Sequence, residues 1–166
     1  MLFQKINKGF KEKMILTELF QGDSITINQP KIIVDGYYKD FGYGFYCTSL
    51  EKQAKRWALV KPRGHVVNVY GYVENHSLNT LVFNEMSDEW LDFVVSCRRG
   101  IKHDYDCAEG PMADDTIWNY VDDFARGDIS REAFWELVKF KYPTHQIVFC
   151  TEDALKQLHF KRSYFL

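Results

Sequence analysis

The ten residues Asp40-Phe41-Gly42-Tyr43-Gly44-Phe45-Tyr46-Cys47-Thr48-Ser49 combine two glycines and four aromatic rings with a strand-to-helix junction. Glycine lets the backbone take φ > 0 or pass close to another chain segment, where a side chain would collide. Gly44-Phe45-Tyr46-Cys47 reads as a short buried strand. Thr48-x-x-Glu51 has the spacing of a capping box, which predicts a helix starting at once, with Ala54, Trp57 and Ala58 on its inner face. A glycine loop, a strand and a helix N-terminus in succession place free backbone N–H groups beside an aromatic wall. That combination suits a ligand with a flat ring and an anionic tail. The same stretch also reads as an aromatic core corner built around a glycine turn.

Other reactive residue types form weaker patterns. His103-x-x-x-Cys107, flanked by Asp104 and Asp106, supplies one histidine and one cysteine, which does not complete a tetrahedral ligand set. No metal is therefore expected. Pairing a cysteine nucleophile with His65 or His145 is formally open, but a chain with four cysteines and five histidines offers many such pairs. Gly42-x-Gly44 lacks the third glycine and the βαβ setting of a dinucleotide fingerprint.

The elements that position these residues belong to one domain. A chain of 166 residues is long enough for a substantial core, and an aromatic content of 16% implies a core and cleft rich in flat surfaces. Residues 1–13 carry four lysines and form a basic N-terminal arm; the domain proper is expected over 14–166. A first strand starts at Met14 and ends in the polar turn Gln21-Gly22-Asp23-Ser24, and Ile32-Ile33-Val34 is a second apolar run, turned by Asp35-Gly36. Residues 66–73 form a strand with Val67, Val69 and Val73 on one face and Tyr70 and Tyr72 on the other; 78–83 form another. Ser87 caps a helix burying Trp90, Leu91, Val94 and Val95, and residues 103–111 read as a polar irregular segment. Asp114-Asp115 begin a helix with Ile117, Val121 and Phe124 inward, ended by Arg126-Gly127. Ser130 caps the next, with Phe134, Leu137 and Val138 inward; residues 146–150 form a strand, and Thr151 caps a last helix running through Leu158. The fold class expected is α+β.

With 21 basic and 23 acidic residues the net charge is −2, so no global field draws nucleic acid, and a macromolecular partner is more in keeping with protein. No apolar run approaches a membrane span and the start does not resemble a signal peptide. The four scattered cysteines read as reduced, mostly buried thiols, in keeping with a cytoplasmic location.

Three separated pieces resemble the ADP-ribosyltransferase superfamily, in its diphtheria-toxin and poly(ADP-ribose)-polymerase branch. They are Leu19-Phe20-Gln21-Gly22, the run from Gly44 through Thr48 to Trp57, and Gln146 opening a late strand. In that branch a strand ends in Tyr-His-Gly, Gly-Phe-Tyr-x-Thr leads into a helix with a second aromatic, and a late strand opens with glutamate. Asp40–Tyr46 is closer still to the Asp-Phe-Gly-x-Gly-Phe-Tyr hallmark of an uncharacterised bacterial family in the superfamily. Gly110-Pro111-x-Ala113-Asp114-Asp115 and Gln146-Ile147-x-Phe149-x-Thr151 look like its later landmarks. The likeness covers roughly residues 14–160.

The resemblance implies small mixed sheets forming a split core with flanking helices, and an NAD-dependent glycosyltransferase that moves ADP-ribose to a macromolecular acceptor. It implies a cofactor-binding set of Phe20, Gln21, Gly22, Gly44, Phe45, Tyr46, Thr48 and Trp57. Gly22 would hold the carboxamide, Tyr46 and Trp57 would sandwich the nicotinamide, and Gln21 and Thr48 would follow the ribose. Arg98 is expected to be partly buried, paired with Asp114, Asp115 or an acid of 103–109, or else to hold the pyrophosphate. Two departures stand out: the family's strand histidine is Gln21 here and its glutamate is Gln146. Catalysis would then fall to Tyr46 and Gln146 with a carboxylate from Asp115, Asp114 or Glu109. Similar bacterial domains look like toxins paired with a small antitoxin protein, or members of a phage-defence pair. The alternative is a module of the same fold with weak or no chemistry that binds NAD, another ligand or a protein.

Overall fold

Alternating side chains along the strand Val66–Tyr72 divide the interior into layers. Val67 and Val69 pack with Ala54 and Ala58 of a helix, whereas Tyr70 enters a cluster with Leu19, Phe45, Ile147 and Phe149. The computed structural model describes residues 17–34, 39–139 and 142–166, the side chain of Asp115 excepted. The basic arm 1–13, the expected strand start at residues 14–16 and the Asp35-Gly36 turn lie outside the described residues.

In chain order the elements are β1 (Thr17–Asp23), β2 (Phe45–Cys47), α1 (Glu51–Leu59), β3 (Val66–Tyr72), β4 (Thr80–Val82) and α2 (Asp88–Arg98). There follow β5 (Cys107–Gly110), α3 (Asp115–Arg126), α4 (Arg131–Leu137), β6 (Gln146–Phe149), α5 (Glu152–Leu155) and β7 (Leu158–Phe165). The protein is α+β, and among the described residues its strands form two small sheets. One is antiparallel in the order β1-β3-β7; the other has the order β2-β6-β5-β4, with β4 and β5 parallel. The sheets are stitched where Phe20 and Thr48 exchange backbone hydrogen bonds of 2.8 and 2.9 Å. Helix α1 covers the first sheet, and α2, α3 and α4 bury Trp90, Leu91, Val121 and Phe134 against Ala108 and Val148 of the second.

Helix starts follow local rules. Ser87, Asp114, Ser130 and Thr151 each accept a hydrogen bond from the backbone N–H three residues on, at 3.1–3.3 Å. Thr48 departs from its expected capping role. Leu50 is the N-cap of α1 with no side-chain bond; the Thr48 hydroxyl accepts from Leu50 N–H at 3.0 Å, and Glu51 is taken by Tyr164 of β7. A tertiary partner outcompetes the local reciprocal bond.

Sheet membership differs further from the sequence pattern. Gln21-Gly22-Asp23 continue β1 instead of turning, because they pair with Asn68, Val67 and Val66. Residues 107–110, expected to be irregular, form β5 at the centre of the second sheet, where Cys107 and Ala108 are buried. The last helix stops at Leu155, and β7 follows as an edge strand whose mostly exposed residues carry little apolar alternation. Ile32-Ile33-Val34 is not a strand, with Ile33 and Val34 exposed; Leu137 turns outward and Val138 inward. The cysteines are free thiols, Cys47, Cys97 and Cys107 buried and Cys150 half-buried. Burial pushes the Cys97 and Cys150 thiols up to about 12 and Cys107 to about 11.

Candidate functional site

Two glycines set the distances from which a cleft follows. A Cβ at Gly22 would lie 2.1 Å from the Ala54 carbonyl oxygen and 2.5 Å from the Ala58 nitrogen, so α1 rests on the end of β1 only because residue 22 lacks a side chain. A Cβ at Gly44 would lie 2.5 Å from the Phe149 carbonyl oxygen. These close approaches bring Trp57 of α1 and Tyr46 of β2 onto one cavity of about 400 Å³. Gln21, Gly22, Gly44, Phe45 and Gln146 line it too, as do Met112, Ala113 and Asp114 from the connection into α3 and Trp118 from the first turn of that helix.

The Tyr46 ring is held by its hydroxyl, which donates to the Gly42 carbonyl at 2.7 Å and accepts from the Phe41 N–H at 3.1 Å. Burial, reinforced by the charge of Asp40, pushes its pKa well above the usual phenol value, so the group stays protonated. The Lys39 ammonium stands 4.9 Å from the ring centroid. Desolvation of its head group and the charge of Lys61 lower its pKa, against the opposing influence of Asp23.

Asp40 is the polar hub beneath the cavity. It is 3% exposed, and one carboxylate oxygen accepts from Arg98 at 2.6 Å. The other accepts from Ala113 N–H at 2.8 Å and from the Gln146 amide at 3.1 Å. Gln146 also donates to the Pro111 carbonyl at 3.2 Å, so Asp40 fixes both the late-strand amide and the entry to α3. Arg98, itself buried, completes its bonding with Asp122 and the Trp118 carbonyl, and its guanidinium lies 3.6 Å from the centroid of the Trp118 ring.

Gln21 accepts from Asn68 at 2.9 Å and donates to Asp23 at 3.0 Å. Asp23 accepts as well from Ser24 N–H. Burial opposes its charge, but these bonds and Lys61 leave its pKa below the usual value. Among the described residues the backbone of Gly22, beside Gln21, has no bond outside its own ladder. Pairing alternates along an antiparallel ladder, and Phe20 bonds toward Thr48, so Gly22, two residues on, turns its N–H and C=O away from β3 toward the cavity.

Several expected site residues stand elsewhere. The Phe20 side chain packs with Ala54, Ala58, Val67 and Val69, and Thr48 is fully buried; neither lines the cavity. Arg98 is buried and acid-paired as anticipated, but with Asp40 and Asp122 in place of the acids proposed, and it sits behind the cavity surface with its guanidinium committed. That removes it as a diphosphate ligand. Glu109 bonds His145 at 2.8 Å and is not on the cavity. Asp114 is on the cavity while capping α3, and the Asp115 side chain lies outside the described residues.

His103 bonds the Phe41 carbonyl and His65 contacts the Ala58 carbonyl, whereas Cys107 accepts from Gln157. Among the described residues no group of three His, Cys, Asp or Glu could hold a metal ion. Lys39, Arg56, Lys61 and Trp118, which belong to no motif in the sequence, also line the cavity. In the sequence Asp40 stands out only as the opening of a motif. That position ahead of two glycines was the one available signal for the hub.

A family model described as "Protein of unknown function (DUF3990)" matches residues 17–160. The chain belongs to this family. The DUF3990 match runs from β1 into β7 and so takes in both sheets and every residue named on the cavity. No curated protein and no solved structure matches the chain. Among the described residues no helix is long and apolar enough to cross a membrane.

Proposed function

We propose that this DUF3990 domain binds NAD in the cavity and transfers its ADP-ribose unit to a macromolecular acceptor, protein in preference to nucleic acid. The observation that carries the reading is the meeting of Tyr46 and Trp57 on one cavity with the open backbone edge of Gly22. Two rings offer stacking faces to a flat heterocycle, and one N–H with one C=O matches the acceptor and donor of a carboxamide. The bond broken is that between the ribose anomeric carbon and the nicotinamide nitrogen. Nicotinamide leaves with the electron pair, and an acceptor lone pair then closes on the anomeric carbon as the acceptor's proton passes to solvent.

Positive charge builds on the sugar as that bond breaks, and nearby negative charge stabilises it. Gln146 is neutral, so the carboxylates to weigh are Asp23, Asp40 and Asp114, all on the cavity, with Asp23 already accepting from Gln21 and Ser24. Asp40 is largely neutralised by Arg98, which leaves Asp114 the more available. A cytoplasmic toxin restrained by a small antitoxin protein fits such an activity.

A second reading, a binding module without turnover, is favoured by one observation: the Gln146 amide is committed to Asp40 and Pro111 and adds no charge to the cavity. Nicotinamide release and transfer of labelled ADP-ribose from NAD into a cell lysate separate the two. The wild type is expected to release nicotinamide, and Tyr46→Ala and Trp57→Ala each to weaken NAD binding by about 0.5–1.5 kcal/mol. Saturable NAD binding with no release selects the module. If both variants fold and bind NAD as the wild type does, the pocket assignment is wrong.

A further inference from the structure

Three cations line the cavity: Lys39 ahead of the glycine turn, Arg56 in α1 and Lys61 just beyond it. Among the described residues none of the three has an ion-pair partner, whereas Arg98, Arg126, Arg131 and Arg162 each hold a carboxylate. Lys39 and Lys61 are near enough for the charge of one to disfavour the charge of the other. The acid that bears on both is Asp23, whose oxygens are already taken by Ser24 and Gln21. Asp40 does not offset the cluster, because Arg98 neutralises it from behind. Asp114, the third acid on the cavity, caps α3 through the Ile117 N–H and, among the described residues, makes no ion pair with any of the three cations. Uncompensated like charge around a cavity is unfavourable until an anion arrives, and it raises the local concentration of anionic ligands.

Lys39 has a second property. Its ammonium occupies the face of Tyr46, the place where a stacked ring would lie. A nicotinamide ring in NAD carries a positive charge of its own, so it and the Lys39 ammonium cannot share that face. We infer that Lys39, Arg56 and Lys61 form a diphosphate subsite, and that Lys39 moves from the Tyr46 face to the diphosphate as the ring enters. This inference rests on the NAD reading and names the residues that read the ligand's anionic part. It also makes Lys39 the link between two subsites: occupation of the anionic one empties the aromatic one.

The test is calorimetric titration of the wild type, Lys39→Ala, Arg56→Met and Lys61→Met with NAD, ADP-ribose, inorganic pyrophosphate and nicotinamide riboside, which lacks phosphate. Each substitution is expected to weaken NAD and ADP-ribose binding by about tenfold, the scale of one charge-assisted hydrogen bond. Arg56→Met and Lys61→Met should leave riboside affinity unchanged. Lys39→Ala should tighten riboside binding while weakening NAD, a reversal of sign that loss of structure would not produce. The inference is overturned if the three variants bind ADP-ribose like the wild type, or if Lys39→Ala shifts both ligands in the same direction. Nicotinamide release by the wild type alongside either of those results leaves the proposed function intact and removes only the cation assignment. Cation-dependent binding of pyrophosphate and ADP-ribose without NAD binding upholds the subsite and removes the NAD reading instead.

Discussion

Gln146 donates its side-chain amide to Asp40, a residue 106 positions earlier in the chain, at 3.1 Å. The other oxygen of that carboxylate is held by Arg98 at 2.6 Å. A motif residue, a late-strand residue and a helix-end residue are thereby joined in one buried network under the cavity. Every side chain in it depends on Asp40 keeping its charge.

Asp40→Asn leaves the guanidinium of Arg98, whose side chain is 6% exposed, with the partly exposed Asp122 as its one counter-charge among the described residues. Removing one partner of a buried ion pair strands the other, and the expected loss is roughly 3 kcal/mol. Urea unfolding of Asp40→Asn, Arg98→Met and the double variant measures it. The double variant is expected to be more stable than the sum of the single losses predicts. Simple additivity would mean that the pair is not coupled.

Gln146→Glu replaces an amide that donates to both Asp40 and the Pro111 carbonyl by a group without a hydrogen to give when ionised. Two carboxyl groups then meet, and one of them holds a proton more readily. The expected outcome is a stability loss of about 1–3 kcal/mol. Nicotinamide release should rise by much less than the roughly 10²–10³ that one transition-state contact contributes. A rise of that full size would show that the new carboxylate faces the cavity ionised and shares no proton with Asp40.

Gly22→Ala drives a methyl group into the Ala54 carbonyl and the Ala58 nitrogen of α1. Helix α1 must lift from β1, at a cost of about 1–3 kcal/mol for overpacking, and Trp57 moves with it. Thermal melts should show the loss, and Trp57-dependent NAD binding should fall beyond what the melts explain. Unchanged melts would contradict the close approach.

Asp23 has a folded pKa below its usual value of 3.8 through its bonds to Ser24 and Gln21 and the charge of Lys61. Its contribution to stability is therefore fully present above 3.8 and is lost as pH falls through the lower folded value. Asp23→Asn is expected to differ from the wild type by a constant amount near neutral pH, with the gap closing in acid. Denaturant midpoints between about pH 2 and pH 6 read this out. A gap that stays constant to the acid limit would mean the carboxylate is not held in the folded state.

The parts of the protein legible in sequence are those decided within a few residues. The caps Ser87, Asp114, Ser130 and Thr151 were readable because each bonds a backbone N–H three residues away. The Tyr46 strand and the inward face of Ala54 and Ala58 were readable from pattern alone. The tertiary structure decided which strands exist at the sheet margins, since Cys107–Gly110 and Leu158–Phe165 are strands only by virtue of their partners. It also decided who owns each charge. Glu51 went to Tyr164, and Arg98 went to Asp40 in place of the acids nearer to it in sequence. Among the described residues, Lys39, Arg56 and Lys61 have no ion-pair partner around one cavity. A local pattern fixes a backbone hydrogen bond, but a charge takes the partner that folding brings within reach, and that distance is not written along the chain.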